Sequence, residues 1–297
     1  MTKQRIGWIG TGVMGASMCG HLLDAGHRLT VFNRTRDKAL ALLEKGAAWA
    51  EKPKAVAQNS DIVFTMVGFP DDVREVILGD EGVLAGTKTG DTVVEMTTSS
   101  PNLARIIHRE CATKGVKVLD APVSGGDVGA REATLAIMVG GEQPVFDAVK
   151  PLFELLGKTI ALMGAAGSGQ HTKITNQILI AGTMIGVVES LLYAQRAGMD
   201  AHRVIDIIGK GAASSWSINT LGRRIADGDF DPGFYIKHFV KDMGIALEEA
   251  RRMRLSLPGL ALVHQFYMAA MAMGWENLGT QGLYQVLAAM NRQTADR

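Results

Sequence analysis

Three glycines near the N-terminus restrict this chain more than any other feature. In GWIGTGVMG, Gly10, Gly12 and Gly15 stand in G-x-G-x-x-G register, directly after the apolar run Arg5 to Ile9 and at the mouth of an amphipathic stretch that ends near Gly26. A strand that passes into a helix through this spacing opens a βαβ unit. Gly10 permits the tight turn, Gly12 lets a pyrophosphate approach the backbone, and Gly15 lets the helix pack closely on the strand. The helix start offers unpaired N–H groups and a partial positive charge to phosphates, with Thr11, Val13 and Met14 in the same cradle. A glycine-rich turn that binds nothing would read alike locally; the strand before it and the helix after it favour the dinucleotide reading.

The first half of the chain repeats this alternation. Short β-branched and apolar runs, RIGWIG, HRLTVF, DIVFTMV, DTVVEM, VKVLD and LAIMVG, are separated by segments of helical period. That is the pattern of an α/β Rossmann-type doubly wound, mostly parallel sheet. The texture changes after Leu162. From Gly167 onward the chain reads as helices at 169–197, 201–210, 214–226, 236–254, 258–273 and 280–290, punctuated by glycine and proline. The expected organisation is a dinucleotide-binding domain over 1–163 and an all-helical domain over 164–297, joined by a long interdomain helix. That helix carries little charge before Glu189, which argues burial between domains or subunits.

Composition closes off other classes of function. A chain of 297 residues, 47% hydrophobic and 21% charged, has the make-up of a soluble globular protein. Its net charge of +1 offers no basic patch for nucleic acid, and the longest apolar run, Ile178 to Val188, is too short to cross a bilayer, so neither nucleic acid nor membrane is expected as partner. The start, MTKQRIGWIGTGVMG, is broken by glycine where a signal peptide would be continuous. Cys19 and Cys111 give no disulfide framework, and a cytoplasmic location is expected. The seven histidines show no metal-ligand spacing, so no metal is expected.

The second strand ends in Asn33-Arg34-Thr35-Arg36, where an NAD site places an acidic residue for the ribose hydroxyl. A carboxylate there would repel a 2′-phosphate and a guanidinium attracts it, with Asn33 and Thr35 adding hydrogen bonds. NADP(H) is therefore favoured, and NAD(H) stays compatible. Met66-Val67-Gly68 and Thr97-Thr98-Ser99-Ser100 follow later strands, at the carboxyl edge where doubly wound sheets bind ligands. DAPVSGG, Asp120 to Gly126, exposes a hydroxyl and successive N–H groups that can hold a carboxylate; on spacing alone it reads equally as a structural turn. Lys173, set among glycines at the start of the uncharged helix with Asn176 three residues on, reads locally either as a snorkelling lysine or as a group placed for polar chemistry.

Taken together, GWIGTGVMG, DAPVSGG, the G-x-x-G-x-G-x-x-x-K-x-x-N run (Gly164, Gly167, Gly169, Lys173, Asn176) and KHFVKD (Lys237 to Asp242) closely resemble the β-hydroxyacid dehydrogenase family over essentially the full chain. That group includes 3-hydroxyisobutyrate dehydrogenases, tartronate semialdehyde reductases and glyoxylate/succinic semialdehyde reductases. The resemblance implies a Rossmann domain, a long interdomain helix and a helical domain that helps form a homodimer or homotetramer. It implies Lys173 as the catalytic lysine with Asn176 beside it, both facing a small carboxylate-bearing substrate. Ser124, Gly125 and Gly126 match the loop that holds the carboxylate, Thr98 matches a cofactor contact, and Lys241 matches a lysine near the nicotinamide with Asp242 next to it on the substrate side. A lysine so placed would protonate the alkoxide during carbonyl reduction, its pKa lowered by burial and neighbouring cations. Two departures stand out: Glu95 where members usually have Asp, and Ala133 in place of a usual glycine; neither is expected to touch the chemistry directly, and the second is expected to bear on the loop that shapes substrate choice. Competing readings are an imine reductase, which typically replaces the lysine, a 6-phosphogluconate dehydrogenase, which needs a longer helical domain, and a non-catalytic dinucleotide-binding module.

Overall fold

A computed structural model describes residues 3–291, which fall into two compact units, one running to Lys173 and the other starting at Ile174. The first is built on nine strands: β1 (Arg5–Ile9), β2 (Arg28–Phe32), β3 (Ala48–Trp49), β4 (Ile62–Thr65), β5 (Thr92–Glu95), β6 (Lys117–Asp120), β7 (Val123–Ser124), β8 (Leu135–Gly140) and β9 (Gly157–Gly164). They form one sheet in the order β3-β2-β1-β4-β5-β6-β8-β7, with β9 pairing β8. Strands β1 to β6 are parallel, β8 runs antiparallel to β6 and β7, and β9 is parallel to β8. The strand order reverses between β1 and β4, the crevice where such sheets take their ligands.

The connecting helices are α1 (Val13–Asp24), α2 (Leu40–Glu44), α3 (Pro53–Gln58), α4 (Pro70–Leu78), α5 (Val83–Gly86), α6 (Pro101–Ala112), α7 (Gly126–Arg131) and α8 (Gln143–Phe153). Helices α3, α4 and α6 open on proline, whose missing N–H costs nothing in a first turn. The central strands are apolar almost throughout because helices cover both faces of a parallel sheet. Alternate residues serve opposite cores: Ile6, Trp8, Phe64, Val94 and Leu119 on one face, Ile9, Val63, Val93 and Val118 on the other. Trp8 stacks on Phe64 with ring centroids 5.4 Å apart and donates from its indole N–H to the Gly10 carbonyl at 2.9 Å, so the core braces the glycine turn from below.

Helix α9 (Ser168–Arg196) begins in the first unit and continues through the second. The second unit adds α10 (Ala201–Ile208), α11 (Gly222–Ala226), α12 (Ile236–Arg252), α13 (Pro258–Ala272) and α14 (Leu283–Met290) around a separate core that includes Met184, Val188, Phe239, Met243 and Tyr267. Among the described residues α9 alone has the length and apolar composition to cross a bilayer, with a mean hydropathy of 1.6 over its best window. Its apolar side packs into this core, the usual setting of a core helix, while Leu179, Gly182, Gly186 and Tyr193 lie exposed. The expectation that the helix is covered on all sides is thus met on one side only within a single chain.

The helical half follows its sequence periodicity closely. The sheet is larger than the six runs read from sequence, because β3 and β7 are two residues long and show no period, and β9 is a largely exposed edge strand.

Candidate active site

The glycine turn has the geometry its spacing implies. Gly10 adopts φ +96°, and a Cβ there would lie 2.1 Å from the Met66 carbonyl oxygen; at Gly15 it would lie 1.9 Å from the Gly10 oxygen. Any larger residue would force the turn off β4 or α1 off the turn. Gly12 differs, since a Cβ would meet nothing within 4 Å. Its open side is room kept for a ligand, and Gly12 as N-cap puts no side chain over the first N–H groups of α1. The cradle therefore fits a dinucleotide.

Asn33 turns inward. Its Oδ1 accepts from the Thr11 N–H at 3.0 Å and its Nδ2 donates to the Thr35 carbonyl at 2.8 Å, tying the end of β2 to the glycine turn. Arg34 reaches outward, its side chain 88% exposed and 3.3 Å from Asp72, whose other oxygen accepts from the Phe69 N–H at the start of α4. Val67 donates its N–H to Thr97 Oγ1 at 2.9 Å, linking the loops after β4 and β5, with Met66 and Thr98 on those same loops. Ser124 ends β7, and Gly125 and Gly126 follow at φ +135° and +63°, successive backbone conformations that side chains avoid.

The start of α9 is held by groups that sequence reasoning left aside. Glu95 and Asp120, the last residues of β5 and β6, are register partners, and both are buried. Asp120 accepts from the Gly167 N–H at 2.7 Å and from the Gln170 N–H at 2.9 Å, capping the helix from another element. This approach needs glycine on three sides: a Cβ at Gly140 would lie 2.5 Å from Asp120 Oδ1, one at Gly169 2.5 Å from the Asp120 carbonyl oxygen, and Gly167 has φ +92°. Burial pushes the Asp120 carboxyl up to about 6, against the pull of the backbone donors. Gln170, fully buried, donates from Nε2 to Glu95 Oε2 at 3.1 Å and to the Thr97 carbonyl at 2.8 Å, and accepts the Ser99 N–H at 2.9 Å. Glu95 Oε1 accepts the Thr97 N–H at 2.7 Å. Leaving any of these buried groups unpaired would cost roughly 1–3 kcal/mol. Lys173, one turn further along α9, is 6% exposed. His171 lies 3.4 Å from an Arg105 guanidinium nitrogen.

In the second unit, Asn176 Nδ2 donates to Gln177 Oε1 at 2.7 Å, and Gln177 Nε2 donates to Asp242 Oδ2 at 2.6 Å. The other Asp242 oxygen pairs with Lys241 at 3.1 Å. Asp242 is 2% exposed with its carboxylate engaged inside the chain. Among the described residues no three His, Cys, Asp or Glu side chains gather as a metal site.

Comparison with known proteins accords with this geometry. Residues 5–164 match the family described as the NAD binding domain of 6-phosphogluconate dehydrogenase, and residues 167–287 match the NAD-binding domain of NADP-dependent 3-hydroxyisobutyrate dehydrogenase. A probable 3-hydroxyisobutyrate dehydrogenase-like protein, mitochondrial, of Arabidopsis thaliana is 51% identical over 98% of this chain and 87% of its own length. This chain belongs to the β-hydroxyacid dehydrogenase family. The 2-hydroxy-3-oxopropionate reductase of Escherichia coli (strain K12) is 41% identical over 96% of this chain and 98% of its own length. The structure of Mycobacterium tuberculosis 3-hydroxyisobutyrate dehydrogenase with L-serine superposes with a TM-score of 0.88 at 28% identity, over 98% of this chain and 100% of that one.

As a β-hydroxyacid dehydrogenase the chain is an oxidoreductase with a nicotinamide dinucleotide fold, and its two departures from the family pattern gain physical meaning. Ala133 adopts φ +54°, the left-handed region where glycine is at ease, so the alanine carries backbone strain of about 1 kcal/mol. Glu95 is joined to Gln170, three residues before Lys173, so its place is in the support of the α9 start. The readable signal was an acid ending each of two apolar strands, TVVE and KVLD.

Proposed function

We propose that this chain is an NADP(H)-preferring reductase interconverting a short 3-hydroxy acid, or a 2- or 4-hydroxy acid, with its semialdehyde or oxo acid, using Lys173 as general acid and base. The observation that carries the reading is a buried lysine one turn into a helix whose start is anchored at the carboxyl end of the same sheet that holds the glycine cradle. The names of the two relatives, a hydroxy-acid dehydrogenase and an oxo-acid reductase, support a small carboxylate-bearing substrate.

In this reading Gly10, Thr11, Gly12, Val13, Met14 and Gly15 hold the pyrophosphate. Asn33 braces that turn, Arg34 and Thr35 face the 2′-phosphate, and Met66, Val67 and Thr98 flank the cofactor. When bound, the dinucleotide supplies a hydride to the carbonyl carbon. Ser124, Gly125 and Gly126 hold the substrate carboxylate through a hydroxyl and convergent N–H groups. Lys173 gives a proton to the carbonyl oxygen as negative charge develops there, and takes it back in the oxidative direction. Asn176 orients the reacting oxygen, and Lys241 completes the set that the family resemblance assigns. Asp242, buried against Gln177 and Lys241, serves better as the support of those side chains than as a direct substrate contact. Two buried free thiols, Cys19 and Cys111, accord with a cytoplasmic location, and the exposed apolar stripe of α9 supports a homodimer or homotetramer.

The test is NADPH consumption with a panel of short semialdehydes and oxo acids. Lys173→Ala is expected to lower kcat by about 10²–10⁴-fold while NADPH binding, followed by fluorescence titration, persists. Near-normal turnover in that variant removes the proposed acid.

A further inference from the structure

We propose that Gln170 is the positioning residue for Lys173, setting the height and rotation of the helix turn that carries the amine; the proposal rests on the reading of Lys173 as proton donor. An ordinary helix start needs only one side-chain acceptor from its own N-cap. Here Asp120 on β6 takes two N–H groups of the α9 start, and Gln170 links that turn to Glu95, Thr97 and Ser99 at the end of β5. Both Nε2 hydrogens of Gln170 are used, and its Oε1 takes a third bond, so the side chain has one rotamer that satisfies its neighbours.

Gln170 and Lys173 are three apart on the helix and share a face. A turn released from the sheet at Gln170 therefore moves the amine with it, and a displacement of about 1 Å at a reacting group is enough for a hundredfold loss in rate. Glu95 supplies one of the three bonds of that link. It holds the Thr97 N–H with one oxygen at 2.7 Å and reaches Gln170 with the other at 3.1 Å, using the extra methylene that an aspartate lacks.

Gln170→Leu keeps the volume and removes all three bonds. The expected result is a fall in kcat of about 10–100-fold with KM for the substrate moving less than about threefold, NADPH affinity unchanged, and the alkaline limb of the kcat–pH profile displaced. A merely structural role would scale the whole profile down through lost folded enzyme and leave the limb in place. Glu95→Asp is the milder variant for the case in which Gln170→Leu does not fold: kcat is expected to fall about 3–10-fold with the same split between kcat and KM. Folded Gln170→Leu, or folded Glu95→Asp, with unchanged kcat and an unmoved limb overturns the proposal. Lys173→Ala measured alongside separates the two readings. If it is inactive while Gln170→Leu is normal, only the positioning role falls; if it is active, the acid itself falls and the positioning role with it.

Discussion

At the scale of single residues, the proposed preference for NADP(H) rests on one guanidinium. Arg34 is almost wholly exposed, and its ion pair with Asp72 is of the surface kind that contributes about 0–1 kcal/mol. A 2′-phosphate carries more charge than that carboxylate and offers bidentate acceptors, so the arginine can exchange partners at little cost. Arg34→Asp would place two carboxylates together beside the ribose and repel the extra phosphate. The ratio of kcat/KM for NADPH over NADH is expected to fall at least tenfold, about 1.4 kcal/mol, and an unchanged ratio would remove Arg34 from the 2′-phosphate site. Asn33, read from sequence as adding a hydrogen bond beside that phosphate, also ties the backbone of Thr11 and Thr35 together.

At the scale of elements, the decisive feature is where α9 begins. Twenty-nine residues of helix start against two buried acids, a favourable end for negative charge, yet burial pushes the Asp120 carboxyl up to about 6, above its ordinary 3.8. The sign follows from linkage. With the folded pKa above the unfolded one, this group's contribution to stability is fully present below about pH 4 and is lost as pH rises through 6, amounting to about 3 kcal/mol. Asp120→Asn removes the titration. The wild type is therefore expected to lose unfolding free energy relative to the variant between pH 4 and pH 7, measured by urea unfolding at each pH. A difference that stays constant across that range would show that Asp120 does not titrate there. The glycines at 140 and 169 belong to the same device, since each leaves out an atom that would separate the acid from the helix, and Gly167 supplies the positive φ of the turn before it.

At the scale of the whole molecule, each unit has its own core, and the second presents apolar surface that one chain leaves uncovered. Leu179 is 69% and Tyr193 77% exposed on α9, and Leu262 and Met268 are exposed on α13, a helix without a single charged Asp, Glu, Lys or Arg. Light scattering on the purified chain is expected to give a dimer or tetramer, and Leu179→Asp to shift it toward monomer; a monomeric wild type at micromolar concentration would end the oligomer reading. Alternation of apolar runs with helical segments, and the glycine spacing of residues 10 to 15, determined the α/β sheet and its dinucleotide turn from sequence, because period and glycine geometry are local properties of the chain. Lys173 stood out for the same local reason, as a lone charge in an apolar segment. What the sequence could not hold was the support of that lysine: Glu95 and Asp120 lie twenty-five residues apart and meet only through the register of β5 on β6, and Gln170 joins them only where α9 descends on that edge. Contacts of that kind depend on how strands pair in three dimensions, and tertiary structure alone decided them.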